Sequence, residues 1–277
     1  MVEKNKSFQV GAHIVMVFLS LCCILPFVLL IASSFTDENE LIRSGYSFIP
    51  TKFSLDAYSY MFKSSNKIFM AYGITILVTV IGTVAGLAMT ILMAYPLSRR
   101  DLPGRNGLAF YVFFTMLFSG GLVPTYIMYT RYIKVSGTLW ALIVPSLLVN
   151  AFYVIMMRTY FNTNIPDAVI EAARIDGAGE ARTFVNIVFP MIKPGVGALA
   201  IFTFITAWND YFLQLIMLND MDVLTISLGI AKLQSELSTD YGLIMAGAAL
   251  GSVPIILIFL MFQKFFTRGI TMGAVKG

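Results

Sequence analysis

Six long apolar segments dominate this sequence and decide what it can fold into. Each runs for about twenty residues or more with few charges, which is the length that an α-helix needs to cross the hydrocarbon core of a bilayer. The predicted spans cover about residues 12–35, 69–97, 108–129, 137–161, 194–218 and 241–266. Only 12% of the 277 residues are charged, against about a quarter in a soluble globular domain. The chain is therefore predicted to be an all-α, polytopic membrane protein with six transmembrane helices.

The charges outside the spans indicate how the chain is oriented. The first span is longer than the roughly 7 to 15 apolar residues of a cleaved signal, so we expect it to remain in the protein. Twelve of the 19 Lys and Arg residues fall on one side, within the N-terminus, residues 98–107, residues 158–193 and the C-terminal end. By the positive-inside tendency, residues 1–11 and the tail 267–277 are expected in the cytoplasm.

Glycines within two of the spans predict local features of the helices. Gly73, Gly82 and Gly86 would let a neighbouring helix approach the second span closely. The glycine pair at 120–121 interrupts the third span. Irregular backbone at membrane depth is tolerated only where protein or a water-filled cavity surrounds it, so this break predicts an internal position.

Residues 165–193 form a polar stretch between two spans and must therefore lie in water. A first helix is predicted to begin at Pro166, which lacks the N–H that a first turn leaves unused, followed by the carboxylate of Asp167 at the positive end of the helix dipole. The helix is expected to end near Gly177, because glycine is the residue that most readily adopts the left-handed conformation there.

A second helix of this segment is predicted from Glu180 to about Phe189. Its apolar residues recur at helical spacing on one face, at Phe184, Ile187 and Val188. Pro190 is expected to end it. A short helix-turn-helix with an exposed apolar stripe at the membrane surface is suited to be held by a partner protein.

The residue pattern of this segment is also specific. Eight residues fall at fixed offsets: Glu171, Ala172, Ala173, Asp176, Gly177, Phe184, Ile187 and Pro190. They reproduce the signature E-A-A-x-x-D-G-A-x-x-x-x-x-F-x-x-I-x-x-P, and the chain resembles the membrane subunits of carbohydrate importers powered by ATP-binding cassettes (ABC importers). The likeness is to the smaller permease of maltose-transporter-type systems, and it implies the type I permease fold of ABC importers.

The resemblance also implies how such a chain works. Residues 165–193, the EAA coupling loop, would dock into a cleft of a cytoplasmic ATPase, whose closure moves the spans as rigid bodies and gives import by alternating access. Glu171 would pair with a basic residue of the ATPase, while Ala172 and Ala173 would allow close contact. The chain has no G-x-x-x-x-G-K-[ST] phosphate loop, so we expect it not to be an enzyme. Mg-ATP would be held by the partner ATPase, and no cofactor by this chain.

The expected partners are those of the family. They are a second, related permease in a heterodimer, two cytoplasmic ATP-binding-cassette subunits and an extracellular lipid-anchored or periplasmic sugar-binding protein. Residues 118–126, F-S-G-G-L-V-P-T-Y, look like a subgroup linked to complex oligosaccharides, so an oligosaccharide is the expected substrate. The expected location is the bacterial cytoplasmic membrane, multi-pass in the lipid bilayer and without nucleic acid. The tail is similar to the family ending G-x-T-x-G-A-V-K-G, which implies that Gly273 and Lys276 contact the ATPase.

Polar and aromatic residues within the spans are candidates for the transport route. Trp208, Asn209 and Asp210 resemble the family pattern W-N-[DE]-[FY], and an ionisable group in a span costs several kcal/mol unless it faces a cavity or a partner. They would either line the sugar route or hold the two permeases together. Further candidates offer aromatic faces or hydrogen-bonding groups to a sugar, namely Tyr126, Tyr129, Asn150 and Tyr153.

Two other classes of function remain open on these patterns. An ion-coupled secondary transporter would carry several intramembrane charges and a repeated half, whereas Asp210 is the one acidic residue within the predicted spans. A membrane-embedded enzyme would need a catalytic constellation, but neither H-E-x-x-H nor G-x-S-x-G occurs. His13 is the single histidine, so no histidine-based metal site is predicted.

Overall fold

The structure of the protein is a computed structural model that describes residues 6–63, 65–118, 120–218, 225–230 and 240–274. Regular secondary structure in these ranges is helical, apart from one isolated antiparallel bridge between Thr36 and Phe53. The all-α prediction is confirmed.

The helices are numbered here in chain order. They are α1 (Lys6–Ser34), α2 (Glu38–Ser44), α3 (Asp56–Lys63), α4 (Ser65–Ser98), α5 (Arg105–Leu117), α6 (Leu122–Ile127), α7 (Trp140–Leu147), α8 (Ala151–Asn164), α9 (Asp167–Ile175), α10 (Glu180–Thr183), α11 (Phe189–Asn209), α12 (Phe212–Met217) and α13 (Tyr241–Ala274). Two stretches are π-helical, Met128–Ile133 after α6 and Phe184–Val188 between α10 and α11.

Several of these helices are long and apolar enough to cross a membrane. Within the described ranges four do so alone, Phe8–Ser34, Ile68–Ser98, Glu180–Asn209 and Tyr241–Lys264. Two bent pairs also qualify, Arg105–Leu117 with Leu122–Ile133, and Trp140–Leu147 with Ala151–Asn164. Counting each bent pair as one span gives six.

The breaks within the bent pairs follow from the local sequence. The chain turns by 109° before α6, where Gly121 has a φ of 84° that L side chains rarely adopt. The bend between α7 and α8 is 42°, and the Asn150 side chain caps α8 by accepting a hydrogen bond from Phe152 N at 2.9 Å. The predicted fourth span is thus two helices, the first beginning at Trp140 because Gly137, with a φ of 74°, lies in a turn before it.

The prediction that Pro190 ends a helix is wrong. The helix that begins at Glu180 continues to Asn209, and the turn before the proline is π-helical. In an α-helix, proline removes one hydrogen bond and its ring collides with the carbonyl four residues earlier. In the wider π turn the N–H of Phe189 donates five residues back, to Phe184 O, which relieves that collision and keeps the helix continuous.

One compact unit comprises Met1–Phe69 and Gly229–Pro254. Its helix α2 is tied to the start of α13, because Glu38 accepts hydrogen bonds from Tyr241 N at 2.9 Å and Gly242 N at 2.7 Å. These are N–H groups that a helix leaves without an internal partner. A carboxylate at the positive end of the α13 dipole is also electrostatically favourable.

The other compact unit comprises Met70–Leu228 and Ile255–Gly277. Its largest core joins α4, α5, α8, α9 and α11. The side chains at its centre are 5% exposed or less, among them Leu97, Val112, Met157, Phe161, Val188, Ile192 and Leu199. Because Ile170 and Val188 belong to this core, the polar segment 165–193 is anchored on it.

Small residues set the distances between helices in this second unit. A Cβ on Gly82 would lie 2.9 Å from Ser146 Oγ, and one on Gly86 would lie 3.1 Å from Ser146 O, so the predicted close approach is confirmed for both. At Gly73 a Cβ would meet nothing within 4 Å among the described residues, so the prediction stays open there. The closest approach is at Gly195, where a Cβ would lie 2.7 Å from the ring of Tyr160.

Replacing Gly195 by alanine is expected to destabilise the protein, because the added methyl overlaps the Tyr160 ring and forces α8 and α11 apart. Overpacking of this kind costs about 1–3 kcal/mol. Thermal unfolding of the purified protein in one detergent measures the change. Gly73→Ala is the matched control, since its methyl has open space and alanine is the better helix former. Equal stability of the two variants would contradict the packing at Gly195.

Candidate functional site

The first helix of the polar segment 165–193 ends in a defined turn. Ala178 N donates to Ala173 O at 2.9 Å, and Gly177 N donates to Arg174 O at 3.0 Å. This pair of hydrogen bonds is the Schellman motif, in which the residue after the cap takes a left-handed conformation. Gly177 has a φ of 76°, so the predicted left-handed end of the helix is confirmed.

Among the described residues, only the backbone restricts the residue at position 177. A Cβ added to Gly177 would meet nothing within 4 Å. A left-handed backbone costs an L residue about 1–2 kcal/mol, which glycine avoids. The need for glycine is therefore conformational, since this turn directs the chain from α9 into the helix that begins at Glu180.

The two faces of α9 have different surroundings. Ile170 and Ala173 are 4% and 3% exposed and face the chain's own core, so Ala173, expected to contact a partner, is covered within this chain. Glu171 and Ala172 are exposed, as is Asp176 after the helix. Sequence reasoning missed the next position: Ile175 is 86% exposed, more than any other large apolar side chain in the described ranges. The signal was present, because Ile175 follows Glu171 at a spacing of four.

The apolar face of the second helix does not point to solvent as predicted. The Phe184 ring lies 4.9 Å from the Tyr95 ring, centroid to centroid, Val188 is fully buried and Ile187 is half-buried. The predicted exposed stripe is therefore wrong, because this helix continues into α11 and uses that face to pack on the core. Pro190 is exposed.

Arg174 links α9 to two other parts of the chain. Its Nη2 lies 2.5 Å from Asp101 Oδ2, in the turn before α5, and 2.6 Å from Glu180 Oε1. The hydrogen bond from Arg174 holds the pKa of Asp101 below its usual value, although desolvation acts in the opposite direction. Sequence reasoning did not find this cluster, because 73 positions separate Asp101 from Arg174. The three charged groups hold the Schellman turn and the α5 turn together.

A second group of candidate residues lies around a cavity of about 520 Å³. It brings together Asn150, Tyr153, Asn209 and Asp210, which the sequence had placed on the transport route or at a subunit interface. The cavity is also lined by polar residues that sequence reasoning missed, namely Thr90, Ser146, Thr203, Thr206 and Gln214. Gly82 and Gly86 belong to its wall, so their missing side chains leave part of this space.

The geometry of this cavity suits a polar ligand with some apolar surface. Tyr153 Oη and Thr206 Oγ1 lie 3.4 Å apart, and Asn209 Nδ2 donates to Ile205 O at 3.0 Å. Hydroxyl and amide groups from both α8 and α11 therefore belong to the lining. Leu142 and Pro145 supply apolar surface in the lining.

The other candidates lie elsewhere. The Trp208 side chain is 2% exposed and stacks on Phe204, and Ser227 Oγ donates to its backbone O at 2.8 Å. Tyr129 is 2% exposed in a core cluster that includes Met217. Tyr126 is 39% exposed and does not line the cavity.

Candidate positions in the tail are only partly described. Gly273 lies in α13, which runs to Ala274, so the predicted tail is helical at its start. Lys276 lies outside the described residues. No group of three or more His, Cys, Asp or Glu residues that could hold a metal ion occurs in the described part of the chain.

Comparisons with known proteins agree on one family. The model of the family described as "Binding-protein-dependent transport system inner membrane component" matches residues 86–272. The polygalacturonan/rhamnogalacturonan transport system permease protein YtcP of Bacillus subtilis is 36% identical, over 99% of this chain and 100% of that protein. The arabinooligosaccharides transport system permease protein AraQ of Halalkalibacterium halodurans is 29% identical, over 94% of each chain.

A solved structure has the same fold. It is described as a bacterial ABC transporter involved in the import of the acidic polysaccharide alginate, and its chain superposes with a TM-score of 0.80 at 24% identity. The match covers 96% of this chain and 99% of the other.

Replacing Arg174 by glutamine should loosen the segment, because both ion pairs are lost. Exposed pairs contribute about 0.2–1 kcal/mol each, so the loss of both should raise hydrogen exchange of the α9 amides about two- to thirtyfold. Mass spectrometry of the purified protein measures the rates. Arg182→Gln is the control, because Arg182 is exposed on the same segment and has no ion pair among the described residues. Equal exchange in the two variants would show that Arg174 does not stabilise the turn.

The pH dependence of the same exchange provides an independent check. Because the pKa of Asp101 is lowered, its pairing with Arg174 is fully present above the usual carboxyl pKa of about 4 and is lost as the pH falls through the lowered value. Protection of α9, corrected for intrinsic exchange rates, should decrease over that acidic range. In Arg174→Gln this decrease should be smaller.

Proposed function

This chain belongs to the family of binding-protein-dependent transport system inner membrane components, and on that premise we propose that it moves an oligosaccharide as one permease of an ATP-driven importer. Membership makes it a membrane permease of ABC importers and not an enzyme. The two alternatives drawn from the sequence, an ion-coupled secondary transporter and a membrane-embedded enzyme, are thereby set aside.

One observation carries the proposed mechanism: a single helix connects the polar segment with the cavity. The helix Glu180–Asn209 has 30 residues, so it is about 45 Å long. It begins beside Arg174, and its last turns contribute Thr203, Thr206 and Asn209 to the cavity wall. Because the helix is continuous through its π turn, a displacement of the polar segment would move the wall of the cavity as well.

The exposed face of α9 is the surface that we assign to the ATPase. Glu171 and Ala172 are exposed there, with Ile175 nearly fully exposed at the end of the helix. A short helix that presents an apolar anchor and a charge can be bound in a groove of a partner. The opposite face, with Ile170 and Ala173, is held by the core, so force applied to α9 would reach the spans.

The substrate assignment rests on the cavity and on the named relatives. Sugars offer hydroxyl edges and apolar ring faces, and the cavity offers amide and hydroxyl groups beside Tyr153. The relatives carry polygalacturonan/rhamnogalacturonan and arabinooligosaccharides in their names. For Asp210, which lines the cavity, contact with the sugar and contact with the second permease remain two alternatives.

The remaining partners and the orientation are part of the same proposal. Both termini and residues 165–193 would face the cytoplasm, in agreement with the excess of Lys and Arg in these regions. Two ATPase subunits would bind Mg-ATP, a sugar-binding protein would deliver the substrate, and a second permease would complete the route. The spanning part of α1 has no buried residues in its most apolar window, so lipid or the second permease would cover it. Contact of Gly273 and Lys276 with the ATPase stays a prediction.

Glu171→Lys is expected to abolish sugar uptake, because the reversed charge would repel the basic residue of the ATPase that is expected to pair with Glu171, while the chain still inserts. Uptake and binding-protein-stimulated ATP hydrolysis of the reconstituted assembly are measured together. Glu40→Lys, the same charge reversal in α2 and outside the polar segment, is the control and should retain both activities. Normal uptake by Glu171→Lys would count against the coupling role.

Tyr153→Leu is expected to raise the sugar concentration for half-maximal uptake about tenfold, because an aromatic face and a hydroxyl are both removed from the cavity. Transport by the reconstituted assembly is measured against sugar concentration. Tyr126→Leu, an equal change outside the cavity, should have little effect. If both variants transport as the unmodified protein does, the cavity is not the sugar route.

A further inference from the structure

A second cavity, of about 440 Å³, lies beside the polar segment, where α4 and α8 end and α5 begins. Four arginines line it, namely Arg99, Arg100, Arg105 and Arg158. Asp167 is the one acidic residue among the described residues of this lining. The wall of this cavity is therefore strongly positive. The cavity lies near the ends of the long helices.

Among the described residues, two of the four arginines are paired with carboxylates. Arg99 Nε lies 3.4 Å from Asp101 Oδ1, and Arg100 Nε lies 3.4 Å from Asp167 Oδ2, with both partners of the second pair exposed. Arg105 and Arg158 have no acidic partner among the described residues. Two guanidinium groups in one cavity thus have charge that no carboxylate of the described chain compensates.

Arg158 is held in position without being neutralised. Its Nε donates to Leu97 O at 2.9 Å, near the end of α4, and the side chain is half-buried. A guanidinium has five N–H donors, so four remain for a ligand. Planar groups of this kind favour phosphate and carboxylate oxygens, which accept two parallel hydrogen bonds.

Tyr95 provides a second, independent sign that the cavity has a ligand. It belongs to the lining, is 9% exposed, and its buried hydroxyl has no hydrogen-bond partner among the described residues. Buried polar groups in folded proteins nearly always have a partner. An oxyanion in the cavity could accept the hydrogen bond of this hydroxyl.

An apolar groove of about 370 Å³ adjoins the charged cavity. It lies between α5 and α8 and is lined by Asn106, Ala109, Phe110, Phe113, Ile155 and Arg158. Phe110 is 65% exposed and Phe113 is 42% exposed. Because Arg158 lines both spaces, a positive pocket and an open apolar groove lie side by side, as the polar and apolar groups of a phospholipid do.

We propose that this combined site binds one anionic phospholipid, with its phosphate among Arg105, Arg158 and Tyr95 and an acyl chain along the groove between α5 and α8. Basic pockets between transmembrane helices recognise anionic headgroups in this way. The leaflet follows from the orientation proposed above, but the site depends on neither the sugar nor the ATPase. Since Asp167, the first residue of α9, lines the cavity and pairs with Arg100, a bound headgroup would also stiffen the base of the polar segment.

The assembly of this chain with its partner permease and ATPase subunits provides the test. It is equilibrated in nanodiscs of phosphatidylcholine, with or without phosphatidylglycerol, and the lipids retained after transfer to detergent are counted by native mass spectrometry. We expect one phosphatidylglycerol to be retained per copy of this chain. Arg105→Gln should lower that retention about fivefold, the effect of one basic group near an anionic lipid. Arg182→Gln, which removes an equal charge outside the cavity, should leave it unchanged.

Three outcomes would overturn the proposal. Equal retention of phosphatidylcholine and phosphatidylglycerol by the unmodified assembly would do so, and this comparison requires no variant to fold. Binding of inorganic phosphate that depends on Arg105, without retained phosphatidylglycerol, would assign the cavity to a soluble phosphate. Retention only after the ATPase subunits are removed would show that acidic groups of the ATPase fill the cavity in the assembly.

Discussion

The packing of Phe184 against Tyr95 is the contact on which the arrangement of the polar segment depends. The centroids of the two rings are 4.9 Å apart, and the ring of Phe161 lies 5.6 Å from that of Tyr95. Phe184 belongs to the segment, whereas Tyr95 and Phe161 belong to α4 and α8. Because such a core resists compression, the segment cannot move far without moving the helices beneath it. A surface loop without this anchor would absorb the same displacement by bending.

Ion pairs also hold the polar segment on the rest of the chain. Arg174 connects α9 with Asp101 and Glu180, so the turn before α5 and the start of the helix Glu180–Asn209 are held by one guanidinium. Individually these exposed pairs contribute little, since water screens them. The pairs matter because they fix the positions of three elements relative to one another at the Schellman turn of Gly177. The nearby arginine cavity differs, because Arg105 and Arg158 there have no carboxylate partner among the described residues.

Some features of the site could be predicted from the sequence, whereas others could not. The left-handed Gly177 was predictable, because the requirement is local and only glycine meets it without strain. The end of a helix at Pro190 was predicted on an equally local rule and was wrong, since the π turn before it depends on how α11 packs. Likewise, the spacing showed that Phe184 and Val188 lie on one apolar face of the helix. It did not show that this face packs on the core of the same chain.

The sequence by itself determined that the chain is an all-helical membrane protein, because apolar length and the need to pair every backbone N–H and C=O in lipid leave few other folds. It also determined the family, through a signature of residues at fixed offsets between two spans. Tertiary structure alone decided which candidates share a place: Asn150, Tyr153, Asn209 and Asp210 line one cavity, whereas Tyr129 and Trp208 are packed in cores. The physical reason is that periodicity defines the faces of a helix, while the direction of each face is decided by packing between residues far apart in the chain. Arg174 and Ile175 illustrate what spacing alone does not predict. Although they are neighbours in the chain, Arg174 is the centre of two ion pairs, whereas Ile175 is an exposed apolar side chain.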